Sequence, residues 1–126
     1  MLRLLKLKYP KIHATIDVPN NTTLETENGV SATAKYSDDR KRVLVTLNAF
    51  SKSIEHPEWF DLSAQMVGVF SCEALQTEED YNKAQAEGYD MLFPLLQSLF
   101  VDLSTKAGIP PYYFDKPVLK ITNVKK

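Results

Sequence analysis

Near Thr77 the hydrophobic period of the chain changes from two to about 3.6 residues. The long strand-like segments all lie before that point, and the long helix-like stretch lies after it. Such an order predicts an α+β fold, with helices layered on one face of an antiparallel sheet. In "KIHATIDV", Ile12, Ala14, Ile16 and Val18 alternate with His13, Thr15 and Asp17. The preceding "LRLLKLK" alternates only in part, and Pro10 interrupts the run, which predicts an edge strand or a bulge. The segment 19–29 is a polar loop by its turn residues. "VSATAKYS", the turn "DDRK" and "RVLVTLNAFSKS" form a predicted antiparallel pair. The second of these strands is apolar on both faces near its middle, through Val43, Val45 and Leu47 against Leu44 and Phe50, so it is expected to be central and covered on both sides. After a turn at 54–59 comes a fourth strand, "WFDLSAQMVGVFSCEAL", in which Gly68 marks a bulge or a close backbone approach.

Thr77 followed by Glu78, Glu79 and Asp80 has the pattern of a capping box with acids in the first helical turn. A polar helix should follow, anchored by Tyr81, Ala84 and Tyr89 and weakened at its end by Gly88. Pro94 disfavours helical geometry at Phe93 and suits a first turn, so a break near 90–93 and a second helix over 94–107 are expected. Gly108 with Pro110 and Pro111 beyond it ends that helix.

The second helix is unusually greasy. Leu92, Leu95, Leu96, Leu99 and Leu103 form one stripe, with Phe93, Phe100 and Ala107 in a second stripe beside it. Together they subtend about 160° at 100° per residue, against the roughly 100° that one core requires. One stripe can pack on the chain's own sheet. The other then faces a second copy, with Leu95, Leu99, Phe100 and Leu103 as the expected oligomer contacts. The alternative is a broad core helix lying in a deep sheet groove. Beyond it, proline spacing extends "IPPYYFDKP", and consecutive Tyr112, Tyr113 and Phe114 cannot all enter one core. At least one of them should face the surface or cover a groove.

Composition narrows the function. A net charge of −1 and a pI near 6.1 argue against a nucleic-acid binder. The length of 126 residues suits a single domain spanning 1–126. One cysteine, Cys72, excludes an internal disulfide and fits a reducing, cytoplasmic setting. No run approaches the roughly 20 apolar residues of a membrane span. Chemistry-bearing motifs are sparse. His13, His56 and Cys72 lack ligand spacing, no glycine-rich phosphate loop occurs, and nothing resembles a nucleophile elbow. An enzyme reading rests on Asp102 alone, the one acid inside the second predicted helix, as the carboxylate of a thioesterase-like site. The expectation is a binding protein with neither enzymatic activity nor cofactor.

With those segments laid out, the chain resembles the SecB-like export-chaperone family. "VGVF" at 67–70 matches that family's Gly-Ile-Phe strand, and "LFPLLQSLFVDLSTKAGIPPYYFDKP" at 92–117 looks like its Leu-Phe-Pro segment, long helix, glycine and proline-rich crossover. The resemblance covers nearly the whole chain, more weakly before residue 40. It implies a four-stranded antiparallel sheet with two helices, assembled as a dimer of dimers. It also implies a nucleotide-independent holdase for unfolded or preprotein clients. The matching positions for peptide binding are Phe70, Phe93, Phe100, Ile109, Tyr112, Tyr113 and Phe114. The final "ITNVKK" is basic, whereas the better-known members end in an acidic tail that contacts the SecA motor, so coupling to SecA is left open. Divergent members include chaperones of toxin–antitoxin pairs, so the alternative is a SecB-like interaction protein without an export role, either such a chaperone or a regulatory protein whose apolar face is wholly consumed by self-assembly.

Overall fold

The computed structural model describes residues 2–19 and 22–108, together with the backbone of 121–125. Four antiparallel strands, β1 (Arg3–Ile16), β2 (Thr26–Tyr36), β3 (Arg42–Ser53) and β4 (Phe60–Ser71), are followed by one helix, α1 (Glu78–Lys106). A short fifth strand, β5 (Ile121–Lys125), runs parallel to β2, giving the sheet order β1-β4-β3-β2-β5. The α+β class and the four-stranded antiparallel sheet are as expected.

Pro10 behaves as its chemistry demands. β1 is an edge strand, and its register with β4 slips between Lys8 and Lys11, across the proline that cannot donate to the ladder. β3 lies between β2 and β4 with unbroken register on both sides. Its inward residues Val43, Val45 and Leu47 are fully enclosed under α1, and Ala49 is buried beside them. The outward residues Leu44, Thr46 and Phe50 are only half-buried and Asn48 is exposed. The strand is therefore central but covered on one side only: α1 packs over one face, and no described element covers the other.

The two expected helices are one. Thr77 caps α1, its hydroxyl accepting from the Asp80 backbone N–H at 3.1 Å while the Asp80 carboxylate accepts from the Thr77 N–H at 3.1 Å. From there the helix runs unbroken for 29 residues through Pro94 and ends before Gly108, whose φ of 82° lies in the left-handed region that glycine adopts freely. A proline costs a helix interior about 3 kcal/mol. Pro94 and Asp90 are both exposed, so the proline falls on the side of the helix away from the sheet. On the opposite side Tyr89, Leu92, Phe93 and Leu96 are buried against the sheet and hold both halves of the helix in line. Local propensity predicted a break; tertiary packing overrides it.

Two glycines set how deeply the helix sits. A Cβ at Gly68 on β4 would fall 2.9 Å from a Leu92 methyl, and one at Gly88 on α1 would fall 2.8 Å from Val45 Cγ2. Gly68 is thus a close approach rather than a bulge, since the β3–β4 register passes it unbroken. Tyr36 on β2 meets Tyr81 on α1 edge-on at 4.5 Å, and the Gln85 amide donates to the Ala32 carbonyl at 3.2 Å. The Leu2 N–H donates to the Glu87 carboxylate, tying the start of the chain to the helix.

Candidate functional site

The wide apolar arc of α1 meets the sheet more completely than the two-stripe reading expected. Leu92, Leu96 and Phe100 are fully enclosed within the chain and Phe93 is nearly so. Both stripes therefore converge on one core, into which Leu99 and Leu103 also lean while half-buried. Phe70, on β4 beneath the helix, has no exposed surface either. Of the positions matched for peptide binding, Phe70, Phe93 and Phe100 are core side chains in this chain. A side chain with no accessible surface has nothing to offer a client or a sister copy while the fold stays closed. The same holds for Phe100 as an oligomer contact. Ile109, Tyr112, Tyr113 and Phe114 lie outside the described residues.

What α1 does present outward is an apolar ridge. Met91 is 38% exposed and Leu95 36%, with Pro94 exposed between them and Leu99 and Leu103 half-open further along. Sequence periodicity placed Leu95, Leu99 and Leu103 at the helix surface but not Met91, which lies one turn before Leu95 on the helix half expected to be polar. The ridge is framed by charge. Lys83 pairs with Glu79 at 3.2 Å and Lys106 with Asp102 at 3.1 Å, both one turn apart on exposed helix surface. Such pairs add only tenths of a kcal/mol and leave the ridge open to apolar partners.

A second apolar margin runs along β1. α1 packs over β3 and β4 and reaches out to β2 and β5, leaving the helix side of β1 largely uncovered. Leu5, Tyr9 and Ile12 are exposed there and along the edge. As an edge strand with no described strand beyond it, β1 also offers backbone N–H and C=O groups to an extended polypeptide.

Titratable groups are scattered rather than gathered. His13 lies on the open sheet face 3.6 Å from Asp61. His56, in the turn after β3, stacks on Trp59 at 3.8 Å and lies 3.0 Å from Glu58. Cys72 follows β4 at the other end of the sheet, where its backbone N–H donates to the Lys41 carbonyl and burial pushes its thiol pKa up, away from the reactive thiolate. Among the described residues no three His, Cys, Asp or Glu side chains are grouped to hold a metal ion. Asp102 is exposed near the helix end and engaged with Lys106. No described helix is long and apolar enough to cross a membrane.

No family model matches the sequence, and no curated protein does. The fold does have a counterpart. The SecB-like chaperone of Mycobacterium tuberculosis, solved in complex with a ChAD peptide from the HigA1 antitoxin, superposes with a TM-score of 0.73 at 13% sequence identity. The match covers 92% of this chain and 90% of that one. The chain resembles the SecB-like chaperones in its fold, from the edge strand to the long C-terminal helix.

Proposed function

We propose that this chain is a nucleotide-independent holdase that binds extended apolar segments of non-native polypeptides. The observation that carries the reading is the fold shared over nearly the full length of a SecB-like chaperone whose structure holds a peptide. The surface supports it. The Met91–Leu95 ridge and the open flanks of Leu99 and Leu103 supply apolar area, and the exposed edge of β1 supplies backbone groups, two features that suit an extended segment. Segment 109–114, with Tyr112, Tyr113 and Phe114, continues the chain directly from the helix and is the proposed source of aromatic contacts. Such a chain needs neither cofactor nor catalytic group, acts in the cytoplasm, and buries its remaining ridge in a homo-oligomer, a dimer of dimers.

A narrower reading has its own support. Because the neighbouring chaperone is bound to an antitoxin peptide, the client here can be one dedicated antitoxin-like segment instead of a broad set of preproteins. Light scattering of a chemically denatured client diluted into buffer tests both. Stoichiometric protection without nucleotide, weakened by Leu95→Ser or Tyr113→Ala, supports the broad holdase. Protection of a single co-encoded partner and of no general client selects the narrow one. No protection of either kind refutes both.

A further inference from the structure

A net charge of −1 conceals a strong division of charge. The register of the four antiparallel strands assigns each paired residue to the helix side or to the open side of the sheet. On the open side lie Arg3, Lys6, Lys8 and Lys11 of β1, Lys35 of β2, and Arg42 and Lys52 of β3; the acids of the same strands on that side are Asp61 and Glu27. The helix carries the opposite balance, with Glu78, Glu79, Asp80, Glu87, Asp90 and Asp102 against Lys83 and Lys106. Among the described residues Lys6, Lys8, Lys11 and Lys35 form no ion pair, although all four are exposed.

Between these cations runs an apolar strip. Leu44 of β3 and Val67 and Val69 of β4 are half-buried on the open side, directly opposite Lys35, Lys8 and Lys6 respectively. Further along, Phe50 lies across Gly29, where a Cβ would come within 2.5 Å of its ring, and Lys52 sits 5.8 Å from that ring. A shallow groove of about 430 Å³ opens beside Phe50, lined also by Lys11, Asn48, Ser63 and Gln65. Central strands with aliphatic residues on both faces are the pattern of a sheet covered twice. Here no described element supplies the second cover.

We infer that this open face docks an amphipathic helix of another protein, with an aliphatic stripe seated on Leu44, Val67 and Val69 and acidic flanks reaching Lys6 and Lys8 on one side and Lys35 on the other. The dimensions agree. Three strand spacings separate β1 from β2 across the face, about 14 Å, and a helix with its side chains is about 10–12 Å wide. Other occupants fit less well. A second copy stacked face to face sets lysine against lysine. A second copy offering its acidic helix makes a head-to-tail contact, which leads to a ring or an open filament instead of a two-fold pair. A nucleic acid would match the charge but leave the aliphatic strip unfilled, and Phe50, the aromatic ring that the strand register places on this face among the described residues, already rests on Gly29 and so offers no stacking platform.

The test is fluorescence anisotropy with a labelled helical peptide of about five turns carrying a leucine stripe and glutamate flanks. Its lysine-flanked twin, a single-stranded DNA oligonucleotide and phosphatidylserine vesicles serve as competing arms. The glutamate peptide is expected to bind, to weaken as salt rises, and to lose about tenfold or more in affinity in Lys6→Glu/Lys8→Glu and again in Lys35→Glu. These positions are exposed, so circular dichroism should show both variants folded, and client protection in the scattering assay should be unchanged in Lys35→Glu, which lies on β2 away from the β1 edge, separating this face from the holdase ridge. Equal binding of the lysine-flanked twin overturns the inference. So does DNA or vesicle binding that depends on the same lysines while the glutamate peptide stays free.

Discussion

Replacing Gly88 by alanine sets two effects of opposite sign against each other. In an exposed helix the change stabilises by about 1 kcal/mol, because alanine is the better helix former. At this position the new methyl would stand 2.8 Å from Val45 Cγ2, a fully enclosed branch on the central strand of a side chain that is stiff at χ1. Lifting the helix or displacing Val45 costs about 1–3 kcal/mol by the usual penalty for overpacking. The clash should win, leaving Gly88→Ala about 1 kcal/mol less stable and its melting temperature lower by about 4 °C for a chain of this size. The sign should then reverse when the obstacle is removed. In a Val45→Ala background the nearest remaining atoms, Val45 Cβ and a Phe70 ring carbon, lie at 3.5 Å, an ordinary contact, so Gly88→Ala should recover its helix-forming gain of about 1 kcal/mol. Urea unfolding of the four proteins of this cycle, at one fixed protein concentration, reads the coupling directly. A Gly88→Ala protein that is more stable in the unaltered background would refute the deep seating of α1 on β3.

Pro94→Ala should raise stability by about 1–3 kcal/mol in thermal melts, since an exposed proline inside a continuous helix is a pure cost; a loss would mean that the helix is kinked or broken there. Phe100→Ala should cost about 3–5 kcal/mol in urea unfolding, whereas Leu95→Ser on the exposed ridge should change stability by less than about 0.5 kcal/mol. The pKa of Tyr36 is pushed up to about 12, chiefly by burial and then by Tyr81 and Cys72. Its unfolded form loses the proton first, near pH 10, so its contribution to stability is whole below pH 10 and lost as pH rises towards 12. Urea unfolding across that range should show a decline that is shallower in Tyr36→Phe, with a remainder from Tyr89, whose pKa burial also raises.

Much of this was legible in particular residues. Thr77 with Asp80 announced the start of the helix and Gly108 its end, because caps are local chemistry. Pro10 announced an edge strand because a missing donor is tolerated only there. Pro94 misled because the rule for prolines is local while the packing of Tyr89, Leu92, Phe93 and Leu96 is not. β5 was illegible: five residues that pair with a strand some ninety positions earlier carry no periodic signal of their own. Leu44 and Phe50 correctly gave β3 a second apolar face, but a sequence cannot say whether the cover for that face comes from the same chain. The basic open face appears only with the register, since the slips around Leu5 and Pro10 decide which lysines of β1 share a side.

The proposed holdase grips unfolded polypeptide by its exposed apolar ridge and edge. Calorimetric titration with a reduced, carboxymethylated client, paired with the same client in native form, tests it most directly. The account predicts nucleotide-free binding of the unfolded form with a negative heat-capacity change, lost or much weakened in Leu95→Ser, and no binding of the native form. Equal binding of both forms, or none of either, would contradict it.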